Sequence, residues 1–306
     1  MILRFFLPAC LLAAFPAESG SEGVDGSVAR SLDSALHRAR TRLERKADLF
    51  KDHSSWENAW VVESSHYQVR TTHSRYLGEQ IAAGLEEMLG HFQTLLKTDF
   101  VPDRKFQILI FPTIPEYNAF GRDNGAEHSS FYSSFYSAQH PDGPVAAVLD
   151  TNVIWLKMRI THAAFHQYLA AVRRSTAPLW IEEGLASYFS LYWSYDYCAK
   201  EQARLVDESR LVPFDRLFST TLESLGLNTH DLLMEMGTLF NYLRWHRLDT
   251  CTVLDAEGKV LREPFGDYLR AVVAGADVSK MAVHRLLTEQ RDKLERDFME
   301  FRFPEP

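Results

Sequence analysis

His162 and His166 stand four residues apart, and Glu183 follows seventeen positions after the second of them. On an α-helix, positions i and i+4 share one face a turn apart, so two imidazoles at this spacing can reach one metal ion. Neutral imidazole and carboxylate are ligands that zinc takes in tetrahedral sites, and three protein ligands leave the fourth position for water or substrate. His162, His166 and Glu183 are therefore the candidate metal ligands, with zinc as the expected ion. The histidine pair alone is a weak sign, because twelve histidines in 306 residues give roughly half an i, i+4 pair by chance. Its plainer reading is two satisfied histidines on a half-buried helix. Glu182 and Glu183 are likewise acids that the first turn of a helix favours.

Two helices must position these groups. The first is expected over 152–174, because Pro178 stops anything longer. The second opens near Trp180, carries Glu183 and runs to about 192. Upstream, 59–63 and 66–71 are rich in aromatic and branched residues, which predicts a hairpin across Ser64 and Ser65. Leu77, Ile81, Leu85, Met88, Phe92 and Leu95 recur at spacings of three and four, the mark of an amphipathic helix with one buried face. A nearly continuous apolar strand is expected at 106–111, a short helix at 115–120, loops around a short strand (131–136) over 121–144, and another strand at 145–149. A polar helix is expected over 31–50. From about residue 206 the pattern turns helical, at 232–247, 265–274, 279–287 and 290–301. Strands and helices first, helices last, predict an α+β lobe over 56–200 followed by a helical lobe over 201–306.

The order strand, helix, turn, helix carries two strings: His162-Ala163-Ala164-Phe165-His166-Gln167 and Trp180-Ile181-Glu182-Glu183-Gly184-Leu185-Ala186. Together they resemble the gluzincin superfamily of zinc peptidases, and within it the peptidase-MA-like branch of secreted bacterial proteins of undefined function. That branch pairs His-Glu-x-x-His-Gln with Trp-x-x-Glu-Gly-x-Ala, and the resemblance runs from about 66 to 301. It implies a zincin-like fold: a small mixed sheet packed on the ligand-bearing helices, with a helical lobe closing the cleft. The edge strand of that sheet would bind an extended peptide, and 145–149 is the candidate for it. The resemblance assigns His162, His166 and Glu183 as zinc ligands. Glu182 fits less well, since the family's ligand is the glutamate directly before the glycine.

Two positions depart from the pattern. Ala163 stands where the family keeps its general-base glutamate, and a methyl group can neither take a proton from zinc-bound water nor pass it to a leaving amine. Phe165 stands where the branch carries threonine. The expectation is an exported, gluzincin-like pseudopeptidase that keeps a zinc-binding frame and binds peptide or protein. Two alternatives stay open: an active metallopeptidase using another base such as Glu182, and a metal-free structural or interaction protein. Tyr195, Tyr242 and His246 are candidates for steadying an oxyanion. Phe131, Tyr132, Phe135, Tyr136 and the aromatics of 188–197 are candidates for lining a cleft. For all of these, ordinary packing is the plainer reading.

Composition bounds the rest. A formal charge of −8 and 46% hydrophobic residues fit a globular chain with a sizeable core and argue against a nucleic-acid surface, which depends on clustered Lys and Arg. Residues 1–19 have the shape of a secretory signal peptide, one early cation (Arg4) and then a short apolar run ahead of small residues. That run is too short to span a membrane, which takes roughly 20 apolar residues, so no transmembrane segment is expected in the mature chain. The mature chain would begin with a flexible, polar stretch over 20–55 that includes the polar helix. Export would place Cys198 and Cys251 where thiols can pair, and pairing and free buried thiols both stay open.

Overall fold

Strands β1 (Trp60–Glu63), β2 (Tyr67–Thr71), β3 (Phe106–Phe111), β4 (Ser134–Tyr136) and β5 (Val145–Val148) form one mixed sheet in the order β1-β2-β3-β5-β4. β1 and β2 are the expected antiparallel hairpin, closed by Ser64 N–H donating to Tyr67 O at 2.9 Å. β2, β3 and β5 run parallel, with Tyr67 opposite Phe106 and Ile108 opposite Val145. β4 lies antiparallel to β5 on the outside, Tyr136 opposite Val145. This computed structural model describes residues 51–124, 134–138, 140–148, 152–173, 176–221, 229–249, 253–254 and 260–302, with a few positions between 31 and 39.

The period of two along the strands sorts side chains between two layers. Val69, Ile108, Ile110, Val145 and Ala147 join the main core under helices α1 (Arg75–Leu96) and α3 (Val153–Val172). Phe111 and Ala146 face the other way, into a smaller cluster with Tyr117 of α2 (Ile114–Asp123) and with Trp56, Leu109, Phe120 and Phe135. Helix α1 is the amphipathic element read from the spacing of Leu77 to Leu95. Ser74 caps its start by accepting from Leu77 N–H at 3.1 Å, and Lys97 ends it in a left-handed conformation.

After α3 come α4 (Leu179–Ser190), α5 (Tyr195–Asp207), α6 (Phe214–Phe218) and α7 (Thr229–Asn241), which runs on into a π-helix, Tyr242–Leu248. Then follow a short hairpin of β6 (Val253–Leu254) and β7 (Val260–Leu261), and helices α8 (Pro264–Val273), α9 (Ala282–Glu289) and α10 (Arg291–Glu300). The architecture is α+β, as expected. One core cluster, from Val62 to Phe298, is shared by the sheet and the helices that follow it.

One expectation needs correction. The segment 145–149 is not the edge of the sheet, because β5 is paired on both sides and β4 is the edge. The physical reason was present in its composition: Val-Ala-Ala-Val is apolar on both faces, the pattern of an interior strand. A turn brings β4 round to the outside, with Gly143 at φ +50° donating its N–H to His140 O at 2.9 Å. Helix α5 and the β6–β7 hairpin were not read from the sequence.

The chain divides into two compact units, 1–52 and 53–306, and in the first the described positions between 31 and 39 are helical. The expected signal segment, Phe131, Tyr132, Cys251 and the side chains of Tyr195 and Cys198 lie outside the described residues. Among the described residues no helix is long and apolar enough to cross a membrane.

Candidate metal centre

Helix α3 begins at Asn152, whose side chain accepts from Ile154 N–H at 2.7 Å. Its buried residues include Leu156, Ile160, Ala163, Ala164 and Phe165, while the i, i+4 pair His162 and His166 comes out half-buried on the side toward α4. The turn into α4 is closed by Pro178 O, which accepts from Ile181 N–H (2.9 Å) and Glu182 N–H (3.2 Å). One turn on, Glu183 meets both imidazoles. His162 Nε2 lies 3.1 Å from Glu183 Oε2, His166 Nε2 lies 3.5 Å from Oε1, and the two Nε2 atoms are 3.3 Å apart.

Those spacings test the fit to an ion. Bonds of about 2.0–2.1 Å in a tetrahedral arrangement put ligand atoms about 3.3 Å apart, so the three donors are close enough to share one metal ion. The opposite nitrogen of His162, Nδ1, lies 3.5 Å from the hydroxyl of Ser187, which leaves Nε2 directed at the cluster. Ser187 fits there because α7 offers Gly237: a Cβ at that position would come within 2.9 Å of Ser187 Cβ.

Burial and charge oppose one another in the cluster. Burial would raise the Glu183 carboxyl, but the charge of His166 and the hydrogen bonds of both imidazoles outweigh it and hold the group well below the usual carboxylate range. Burial lowers His162, and its hydrogen bond to Glu183 offsets this only in part. For His166 burial also acts downward, yet the charge of Glu183 and its hydrogen bond prevail, with Glu182 adding to them, and the ring ends above its ordinary value. The Glu183 carboxyl is thus favoured in its charged form, beside two imidazoles that burial and the carboxylate pull in opposite directions. Binding of a divalent cation by these groups would displace protons.

No family model matches this chain, and no curated protein matches it. The resemblance to gluzincins therefore stands on the residues quoted, and the structure shows what several of them do. Trp180 packs its ring 4.5 Å from Phe218 and 5.7 Å from Phe240. Gly184 admits that same Phe240, since a Cβ there would sit 2.3 Å from the ring. Both residues of the Trp-x-x-Glu-Gly string thus serve the contact of α4 with α7, which carries Glu183 to its place. Phe165 is a core anchor, edge-on to Phe92 at 5.2 Å and against Phe189 at 5.2 Å. Ala163 is 1% exposed and belongs to the same core.

Other candidates fall away from the cluster. Glu182 Oε1 accepts from Arg173 Nη1 at 2.8 Å and from Ala177 N–H at 3.1 Å, closing the turn before α4. Tyr242 and His246 pack on Phe301, and Tyr242 also on Phe298. Phe135 joins Tyr117 and Phe120 beneath the sheet, and Tyr188 accepts from Arg244 and Trp245. Ser187 was missed in the sequence, although a residue four after Glu183 shares its face of α4.

Proposed function

We propose that this protein binds a single divalent cation, zinc, through His162, His166 and Glu183, and that it is an exported pseudopeptidase whose edge strand takes up an extended peptide. The observation that carries the reading is the mutual spacing of 3.1, 3.3 and 3.5 Å among the three donor groups. The ion, when bound, would supply Lewis acidity at its open coordination position. The chain's own residues hold it and aim it: Ser187 faces His162 Nδ1, and the Gly184 contact with Phe240 sets the height of Glu183. At the position where a peptidase needs a proton carrier the side chain is the methyl group of Ala163, and Glu182 is engaged by Arg173 and Ala177 N–H. General acid and base groups contribute about 10²–10⁴ in rate, so peptide binding without effective hydrolysis is the activity this set of residues supports.

Metal analysis of the purified chain and of His162→Ala tests the reading. One zinc per chain, lost in the variant, is expected; no stoichiometric zinc, or zinc indifferent to the substitution, ends it. Ala163→Glu then examines the missing proton carrier, with zinc-dependent peptide cleavage gained where the remainder of the site is competent. A metal-free reading is favoured by one feature, the contacts by which Glu183 already satisfies both imidazoles, and the same metal analysis separates the two.

A further inference from the structure

We propose that the cleft beyond the Tyr136 end of β4 is a binding site for the guanidinium group of an arginine side chain. The cleft holds about 500 Å³ between residues of 100–106, Tyr136, Ala138, residues 140–143 and the last turns of α3, within the size range of small-ligand sites. Phe100, Phe106 and Tyr136 line it, each only partly buried, beside the small residue Ala170. Gln167 of α3 lines it too. Its Nε2 donates to Gly143 O at 2.6 Å and toward Gln107 O at 3.5 Å, which fixes the orientation of the amide. Its Oε1 is then buried with no donor, on a residue 3% exposed. A buried acceptor left open is unfavourable, and a ligand N–H would answer it.

Charge points the same way. Asp103 at the mouth of the cleft has no hydrogen-bond or ion-pair partner among the described residues. The neighbouring cations are engaged: Arg104 with Asp142 at 2.8 Å and Pro141 O at 2.6 Å, Lys105 with Glu63 at 2.7 Å. Among the charged residues that line the cleft, Asp103 and Asp142 balance Arg104 and Lys105 in number, and with both cations engaged the Asp103 carboxylate is left to meet a ligand. A planar cation rich in N–H donors suits these features, offering a face to the rings and donors to Gln167 and Asp103. An apolar side chain would leave Gln167 and Asp103 unanswered, and an anion would meet Asp103. The chemistry of the cleft is independent of the metal ion; delivery of the arginine on a peptide along β4 rests on the function proposed above.

The test is a titration of the full chain with Nα-acetyl-arginine methylamide, followed by two-dimensional NMR. Saturable shifts centred on 136–143 and on the Gln167 side-chain amide are expected, with affinity reduced about fivefold or more by Asp103→Asn and by Tyr136→Leu. The citrulline analogue, which keeps the shape without the charge, should bind about fivefold more weakly or worse. The proposal is overturned by absence of binding, by equal binding of the citrulline or norleucine analogue, by shifts elsewhere, or by affinity indifferent to Asp103→Asn. Arginine binding in the cleft of a chain that binds no extended peptide would keep the cleft and defeat the peptide reading. Peptide binding without preference for arginine would do the reverse.

Discussion

Glu183 on α4 and Glu235 on α7 are two carboxyls withdrawn from solvent on helices that pack directly against each other, yet they are driven in opposite directions. Glu183 has two imidazoles within 3.5 Å and is held well below the usual carboxylate range. Glu235 is 1% exposed; its Oε2 accepts from Val212 N–H at 2.8 Å and its Oε1 has no partner. Burial pushes its pKa up to about 8, the Val212 hydrogen bond resists, and the charges of Glu295 and Asp231 add to the rise. Burial is common to both, so the neighbours decide. One is held as a negative charge between two imidazoles; the other is pushed toward its neutral form and serves as packing and as an acceptor for the 211–213 segment.

Replacing Glu183 should break that contrast most. Glu183→Gln removes the charge and leaves an amide against two imidazoles, and zinc affinity measured by chelator competition should fall more than about 100-fold, beyond what the loss of an outer partner of a metal ligand produces. Retained affinity would mean that the carboxylate is not a ligand.

Glu235 yields the next largest effect, and it is read in pH. A carboxyl raised in the folded chain from 4.5 to about 8 keeps its proton there while the unfolded chain has lost it. Between those two values the folded state binds more protons at Glu235, so the contribution of this group to stability is full below about pH 4.5 and is lost as pH rises through about 8, by a few kcal/mol at most. Glu235→Gln keeps the acceptor for Val212 and removes the ionisation, so its urea midpoints at pH 5, 7 and 9 should be flatter than those of the parent chain. Parallel declines in the two proteins would show that Glu235 ionises normally.

The same pair shows what a sequence reveals. Glu183 was legible because its spacing from His162 and His166, and the Trp180 and Gly184 around it, are local patterns. Glu235 was not, since nothing in Met-Glu-Met says that α6, α7 and α10 converge on it. The sheet followed the same rule. The Ser64–Ser65 hairpin and the helix from Leu77 to Leu95 came from local periodicity, whereas the interior place of β5 was marked only by a run apolar on both faces and is decided by its pairing with distant β3 on one side and with β4 on the other. Trp180 and Gly184 were read as marks of a family, and only the position of Phe240 gives them a physical task.

That task can be measured. In Gly184→Ala the added Cβ would stand 2.3 Å from Phe240, and since overpacking of a filled core costs about 1–3 kcal/mol, the urea midpoint should drop accordingly. Because the same contact sets Glu183 against α3, zinc affinity should weaken in the folded variant as well. A variant that is destabilised but binds zinc as the parent does would uncouple the α4–α7 contact from the placement of the cluster.

Glu182 offers the smallest effect and the sharpest control on the comparison. It is adjacent to Glu183 and carries the same charge, but its Oε1 is engaged by Arg173 and by Ala177 N–H, and it makes no direct contact with His162 or His166 among the described residues. Arg173 is partly exposed, so solvent screens the ion pair, and most of the loss in Glu182→Ala comes from the unanswered Ala177 N–H at the turn. About 1 kcal/mol of destabilisation is expected, with zinc stoichiometry unchanged, because the proposed cation ligand is the neighbour one position on. If zinc is lost in Glu182→Ala while the fold survives, the cluster is not the three-residue set defined by distance, and the assignment of the two adjacent carboxylates has to be exchanged.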